Sequence, residues 1–215
     1  MTSSSDIPLQ TRNAPSQSRS EKTLDAILQA TAELLEESGF DALSTNGICR
    51  RAGLTPPALY RYFPNKYAVM KMLGERLMQR QNEVLEDWAA AYDGVGDQTE
   101  AIFMLLKLTL DVTRSMPAGA LVMRSLHASP VLADVRLESH REVTELLVRQ
   151  LVRQSPELKP EQVRTSMRLS VDIGYAVVEM VCDDDTVDET EALKKTAALL
   201  ERSTILLFQQ CQKIE

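Results

Sequence analysis

The stretch AGLTPPALYRYFPNK, residues 52–66, constrains the fold more than any other part of the chain. Adjacent prolines exclude a central β-strand, because each removes a ladder donor. They suit the first turn of a helix, where backbone N–H groups lack an intrahelical partner. Gly53 can take the left-handed conformation of a tight turn, and Leu54 can plug the angle between two flanking helices. Thr55 stands at the N-cap, its hydroxyl expected to accept from the N–H of Ala58. Leu59 and Phe63, four apart, are expected to face a core. Two short helices joined by this turn form a helix-turn-helix.

The surrounding pattern is helical. Leu24, Ile27, Leu28, Thr31, Leu34 and Leu35 make one stripe, ended by Gly39. Ser44 is placed to cap a short second helix ending near Arg51, and a third runs from about Pro56 to Tyr62. Pro64-Asn65-Lys66 breaks that helix and caps a long fourth, Lys66 to Ala91. Further helical runs are 98–115, 119–128, 130–154, 161–182 and 188–212, punctuated by Pro117, Pro130, Pro156 and Pro160. Ala, Leu, Glu, Arg and Gln are plentiful and alternating Val/Ile runs are rare. The expected fold is therefore all-α: an N-terminal three-helix helix-turn-helix domain joined by a long helix to a larger helical domain. The expected division is a disordered polar tail over 1–19, a helix-turn-helix domain over 20–66 and a helical body over 67–215.

The chain of 215 residues carries a net charge of −7, which argues against non-specific polyanion binding by the whole molecule. The charge is uneven. Within 50–80 stand Arg50, Arg51, Arg61, Lys66, Lys71, Arg76 and Arg80 against the single acid Glu75. A basic patch on an acidic protein is a focused electrostatic footprint. Pro56, Pro57 and Ala58 offer a stiff apolar tip able to read thymine methyls in a major groove. Tyr60, Arg61, Tyr62 and Lys66 offer donors to phosphate, and Arg61 also to guanine.

No apolar run suggests a membrane span, and the polar N-terminus does not read as a secretory signal. A cytoplasmic protein is expected. The three cysteines, Cys49, Cys182 and Cys211, are far apart and read as small hydrophobes. His127 and His140 form no ligand-spaced cluster, and Asp183-Asp184-Asp185 lacks calcium-loop spacing. No metal, cofactor or catalytic residues are expected. Paired carboxylates, a phosphate loop and a nucleophile elbow are all missing, so an enzyme is not the expected reading.

The run TNGICRRAGLTPPALYRYFPNK is similar to the signature of the TetR family of bacterial transcriptional regulators. The likeness spans about residues 20–70, and the rest is similar to the family only in length and helical character. Gly47 and Cys49 depart from the pattern. A glycine inside a helix costs about 1 kcal/mol relative to alanine, so the start of the second helix is the weak point. The resemblance implies that Thr45 and Asn46, opening the second helix, contact phosphates, and Thr55 is counted with the DNA-binding residues. It implies Pro56, Pro57, Ala58 and Arg61 towards bases, and Tyr60, Tyr62 and Lys66 on the backbone.

A lone helix-turn-helix makes too few contacts for tight specific binding, and a dimer on a palindromic operator solves this. The expected seam lies on the last two helices, about 161–182 and 188–212. Its stripes are Val163, Met167, Ser170, Val171, Gly174, Val177, Val178 and Val181, and Leu193, Thr196, Ala197, Leu200, Thr204, Leu207, Phe208 and Cys211. The same stripes would also serve the subunit's own core. For a small effector, expected to be hydrophobic, the candidate wall is Trp88, Phe103, Met104, Met123, His127 and Tyr175. The function expected is a homodimeric repressor released from DNA by that effector. The alternatives are a constitutive DNA binder without effector, or an activator of the same fold.

Overall fold

A computed structural model describes residues 8–9 and 18–211. Among the described residues it holds nine helices and no strand: α1 Ser18–Ala42, α2 Thr45–Ala52, α3 Pro56–Tyr60, α4 Lys66–Ala91, α5 Gln98–Ser115, α6 Gly119–Ala128, α7 Ala133–Gln154, α8 Pro160–Asp183 and α9 Glu189–Cys211. The all-α reading holds. The expected tail over 1–19 lies almost wholly outside the described residues. None of the described helices is long and apolar enough to cross a membrane.

The helices form two compact units. One comprises the chain up to Met78 with Arg114–Arg136, the other Gln79–Thr113 with the chain from Leu137 onward. The packing boundary thus falls inside α4, whereas sequence reading divides the chain at residue 66. The segment that holds α6 joins the N-terminal unit because α6 packs on α1. The Ala118 amide also donates to Glu36 Oε1 at 2.9 Å.

In the first unit, Leu24, Ile27, Leu28, Thr31 and Leu35 of α1 are buried, as the stripe predicts, with Ile48 of α2, Leu59 of α3 and Phe63. Complete burial of a side chain of this size contributes about 1.5–3 kcal/mol. Gly39, at φ 75°, breaks α1 before its last residues. Ser44 caps α2 as expected, its Oγ accepting from the Gly47 amide at 3.1 Å. Gly47 does not delay the helix. A Cβ there would stand 3.2 Å from Ser44 Oγ, so glycine leaves room for the cap. Gly74 lets α6 approach α4, since a Cβ would lie 2.7 Å from Leu126 Cδ2.

Helix α7 begins at Ala133 rather than near 130, because Leu132 and Ala133 donate to the Ser129 and Pro130 carbonyls in a tight turn. In the second unit, α8 packs on α9. Val148, Leu151, Leu158, Val163, Met167 and Leu207 form a buried cluster. Gln81 Nε2 donates to Thr113 Oγ1 at 2.8 Å, tying α4 to α5.

The stripe expected at a dimer seam turns inward. Val163, Met167, Val171, Val177, Val178 and Val181 are buried within the subunit, as are Leu193, Ala197, Leu200, Thr204 and Leu207. Gly174 admits Leu106 of α5, whose Cδ2 lies 3.2 Å from an added Cβ. The Phe208 and Cys211 side chains lie outside the described set. The apolar residues that α8 and α9 expose are others: Leu169, Ile173, Met180, Leu199, Ile205 and Leu206. The periodicity was sufficient to find two helices but both faces of each are apolar enough to compete for the core.

Candidate nucleic-acid interface and internal cavity

The turn between α2 and α3 has the geometry its residues require. Gly53 sits at φ 66°, ψ 32°, and the Leu54 amide donates to the Cys49 carbonyl at 2.9 Å. Thr55 is extended at φ −82°, ψ 150° and serves as N-cap through its backbone alone. The expected hydroxyl cap is not made. The Ala58 amide donates instead to the Thr55 carbonyl at 2.9 Å, and Pro56 and Pro57 have no N–H to offer. Helix α3 is short, Pro56–Tyr60, and exposes Thr55, Pro56 and Pro57 while half-burying Ala58.

Thr45 and Tyr60 meet across the motif. Thr45 Oγ1 and Tyr60 Oη are 3.1 Å apart, bridging the start of α2 to the end of α3. In such a pair one hydroxyl donates and the other keeps its proton for an outside acceptor. Asn46 and Arg61 are exposed beside them. Arg50, also exposed, lies one turn beyond Asn46 on α2. Sequence reading counted Arg50 in the basic patch but not among site residues; the i, i+4 spacing from Asn46 was the available signal.

Two expected phosphate contacts are placed otherwise. Tyr62 is 7% exposed and belongs to the core with Phe63. Lys66 Nζ donates to the Phe40 carbonyl at 3.0 Å and the Asp41 carbonyl at 3.3 Å, and lies 4.6 Å from the Phe40 ring centroid. It ties the end of α1 to the start of α4. Asn65 caps α4, its Oδ1 accepting from the Ala68 amide at 3.0 Å.

Much of the basic patch is neutralised by ion pairs. Arg51 holds Glu37 at 2.5 Å and Glu33 at 3.1 Å. Hydrogen bonds from Arg51 help hold both carboxyls below the usual range; for Glu33 the Gln29 amide contributes most. Lys71 pairs with Glu75 at 2.9 Å, Arg76 with Asp25 at 2.9 Å and Arg80 with Glu83 at 3.0 Å. Arg50 and Arg61 are the exposed cations on the α2–α3 surface itself.

The second unit holds a half-open cavity of about 130 Å³ between α4, α5, α7, α8 and α9. Trp88 and Tyr175 line it, as expected. The other expected wall residues do not. Phe103 is half-buried with Lys194 Nζ 5.7 Å from its ring centroid, and Met104 is 44% exposed. Met123 is buried in the first unit, and His127 is exposed there. Soft apolar character marked α5 and α6 alike, but α6 packs on α1 and so leaves the cavity. The wall that sequence reading missed comes from α7, α8 and α9, including Val143, Leu147, Gln150, Ser170 and Thr204. Their signal was the inward stripe assigned to the seam.

Beside the cavity, Tyr175 stacks on the buried His140, with centroids 4.3 Å apart and planes at 10°. His140 Nδ1 lies 2.7 Å from Asp172 Oδ1, and Arg168 grips Asp172 at 2.8 and 3.2 Å. Burial alone would raise the Asp172 carboxyl; Arg168 and His140 more than offset it and hold it below the usual range. Burial pushes the Tyr175 phenol up to about 12.

Residues 27–73 match the profile of bacterial regulatory proteins, tetR family. The HTH-type transcriptional regulator UidR of Escherichia coli K12 is 23% identical over 188 residues, covering 86% of this chain and 94% of that protein. A TetR-family transcriptional regulator from Streptomyces coelicolor superposes with a TM-score of 0.61 at 24% identity, over 86% of this chain and 99% of that one. NalD of Pseudomonas aeruginosa, described as the secondary repressor of the MexAB-OprM multidrug efflux pump, superposes with a TM-score of 0.65 at 19% identity, over 85% and 97%. These relatives are regulators of transcription, not enzymes. The profile match falls on the helix-turn-helix whose turn, cap and exposed hydroxyl pair are set out above, and the fold likeness spans both units; residues 27–73 carry the DNA-binding region of the tetR family of bacterial regulatory proteins, and over most of its length the chain is similar to transcriptional regulators of that type.

Proposed function

We propose that the protein is a homodimeric transcriptional repressor that leaves a palindromic operator when a small, mainly apolar molecule enters the cavity of the second unit. Residues 20–66 form the DNA-binding domain, and 67–215 form the effector-binding and dimerisation domain. The observation that carries the DNA half is the exposed α2–α3 surface, on which Thr45, Asn46, Thr55, Pro56, Pro57, Tyr60 and Arg61 stand together with Arg50. Pro56, Pro57, Ala58 and Arg61 meet base edges. Thr45, Asn46, Tyr60 and Arg50 hold phosphates. Lys66 and Tyr62 act by supporting this surface from behind.

Exposed Leu169, Ile173, Met180, Leu199, Ile205 and Leu206 support dimerisation through α8 and α9, since isolated monomers rarely leave so many large apolar side chains in water. NalD, a fold relative, is itself described as a repressor. Release works by population shift: the effector favours a state in which the paired α3 helices no longer match successive major grooves. Helix α4 contributes residues to both units and is the natural carrier of that change. Selection of bound duplexes from a random pool tests the reading, with enrichment of a two-fold symmetric sequence expected.

A further inference from the structure

The cavity of the second unit also says what kind of molecule fits it. Its volume of about 130 Å³ is close to that of an engineered cavity able to hold benzene, so the occupant is about one ring in size. None of the described residues lining it is Asp, Glu, Lys, Arg or His. A charged ligand would be desolvated there with no counter-charge. Trp88 and Tyr92, stacked at 4.9 Å and 19°, give an aromatic wall.

The polar lining sorts into acceptors and donors. The hydroxyls of Thr109, Ser170 and Thr204 already donate to the carbonyls of Leu105, Ser166 and Leu200, at 2.9, 3.0 and 3.1 Å. Each keeps only lone pairs for a guest. Gln154 Nε2 and Tyr175 Oη are buried without a hydrogen-bond partner. Tyr175 is 4% exposed; its hydroxyl lies by Ser139, whose own proton goes to Asn82 Oδ1 at 2.9 Å. A hydrocarbon guest leaves the Gln154 amide and the hydroxyl lone pairs unmet, and a carboxylate brings an unpaired charge. A hydroxyl both donates and accepts.

We infer that the effector is an uncharged single-ring molecule bearing a hydroxyl, a phenol in its simplest form. This rests on the reading of the second unit as the effector site. Trp88, the chain's one tryptophan, lines the cavity and reports its occupancy. The full-length protein is titrated with phenol, toluene, benzoate and decanoate at neutral pH, following tryptophan emission. Phenol should saturate the signal with a dissociation constant about tenfold below that of toluene, the effect of one or two hydrogen bonds, and the two anions should not saturate it. Tyr175→Phe should weaken phenol by about tenfold and leave toluene unchanged. Should that variant not fold by circular dichroism, Gln154→Met and the wild-type panel decide.

Equal affinity for toluene, tighter binding of either anion, or no saturation by phenol overturns the assignment. The same samples are then offered operator DNA. Phenol that binds without changing DNA affinity supports the ligand class and removes the release mechanism. Release by decanoate but not by phenol removes the ligand class and keeps the release mechanism.

Discussion

Lys66 grips the broken end of α1 through Phe40: its ammonium donates to the Phe40 carbonyl at 3.0 Å and sits 4.6 Å from the ring centroid. Lys66, expected at a phosphate, links the end of the first helix to the start of the fourth. Replacing Lys66 by Met should lower unfolding stability by about 2 kcal/mol, the scale of a charge-assisted hydrogen bond. Urea denaturation checks this, and an unchanged midpoint with weakened DNA binding would return Lys66 to the phosphate role.

Arg51 and Arg61 belong to one basic patch in the sequence but differ in their surroundings. Arg51 is held by Glu33 and Glu37, while Arg61 is exposed at the end of α3. Arg61→Ala and Arg50→Ala should each reduce the salt dependence of DNA binding by about one unit of log–log slope. Arg51→Ala should leave the slope unchanged. Binding titrations across a range of salt concentrations separate the three.

Gly53 has no atom within 4 Å of an added Cβ, so its substitution meets no clash. Its φ of 66° is the only obstacle. Gly53→Ala should therefore cost about 1–2 kcal/mol through backbone strain alone, measurable by thermal or urea unfolding. Gly53→Asn should cost less, because asparagine tolerates the left-handed region.

Asp172 links pH to the second unit. Its folded-state carboxyl titrates below the usual value, so its contribution to stability is present above the unfolded value near about 4 and is lost as pH falls through the folded one. The Asp172 contribution should be constant above about pH 5 and decline below about pH 4. Asp172→Asn should be less stable at neutral pH and decline less steeply in acid, as followed by urea midpoints at successive pH values. Glu33, Glu37 and Glu145, also held low by neighbouring arginines, keep some acid sensitivity in the variant.

Leu199 and Ile205 on α9 are 67% and 45% exposed. Leu199→Asp with Ile205→Asp should convert a dimer to a monomer in sedimentation while leaving the helical content intact. Loss of folding instead would show that these side chains serve the subunit's own core.

The helix-turn-helix was legible because its chemistry is local. A left-handed glycine, a proline pair at N1 and an i, i+4 apolar pair act over a few residues, and α2 to α4 follow from them. The exposed apolar face of α8 and α9 and the cavity wall were not legible. Both depend on which apolar stripe of α8 and α9 wins the core, and α5 settles it by packing Leu106 against Gly174. Met123 and His127 left the expected pocket for the same kind of reason, since their helix packs on α1. Lys66 and Tyr62 show the remaining gap: a cation or a phenol near a DNA surface has the same one-letter pattern whether it points outward or braces the fold.

The most direct test is the affinity of the purified protein for duplexes selected from a random pool, compared with the Arg61→Ala and Pro57→Ser variants. The account predicts a two-fold symmetric site bound at least about a thousandfold more tightly than unrelated DNA, with both variants losing that preference while remaining folded. Equal binding to all duplexes, or a preference untouched by both substitutions, would contradict it.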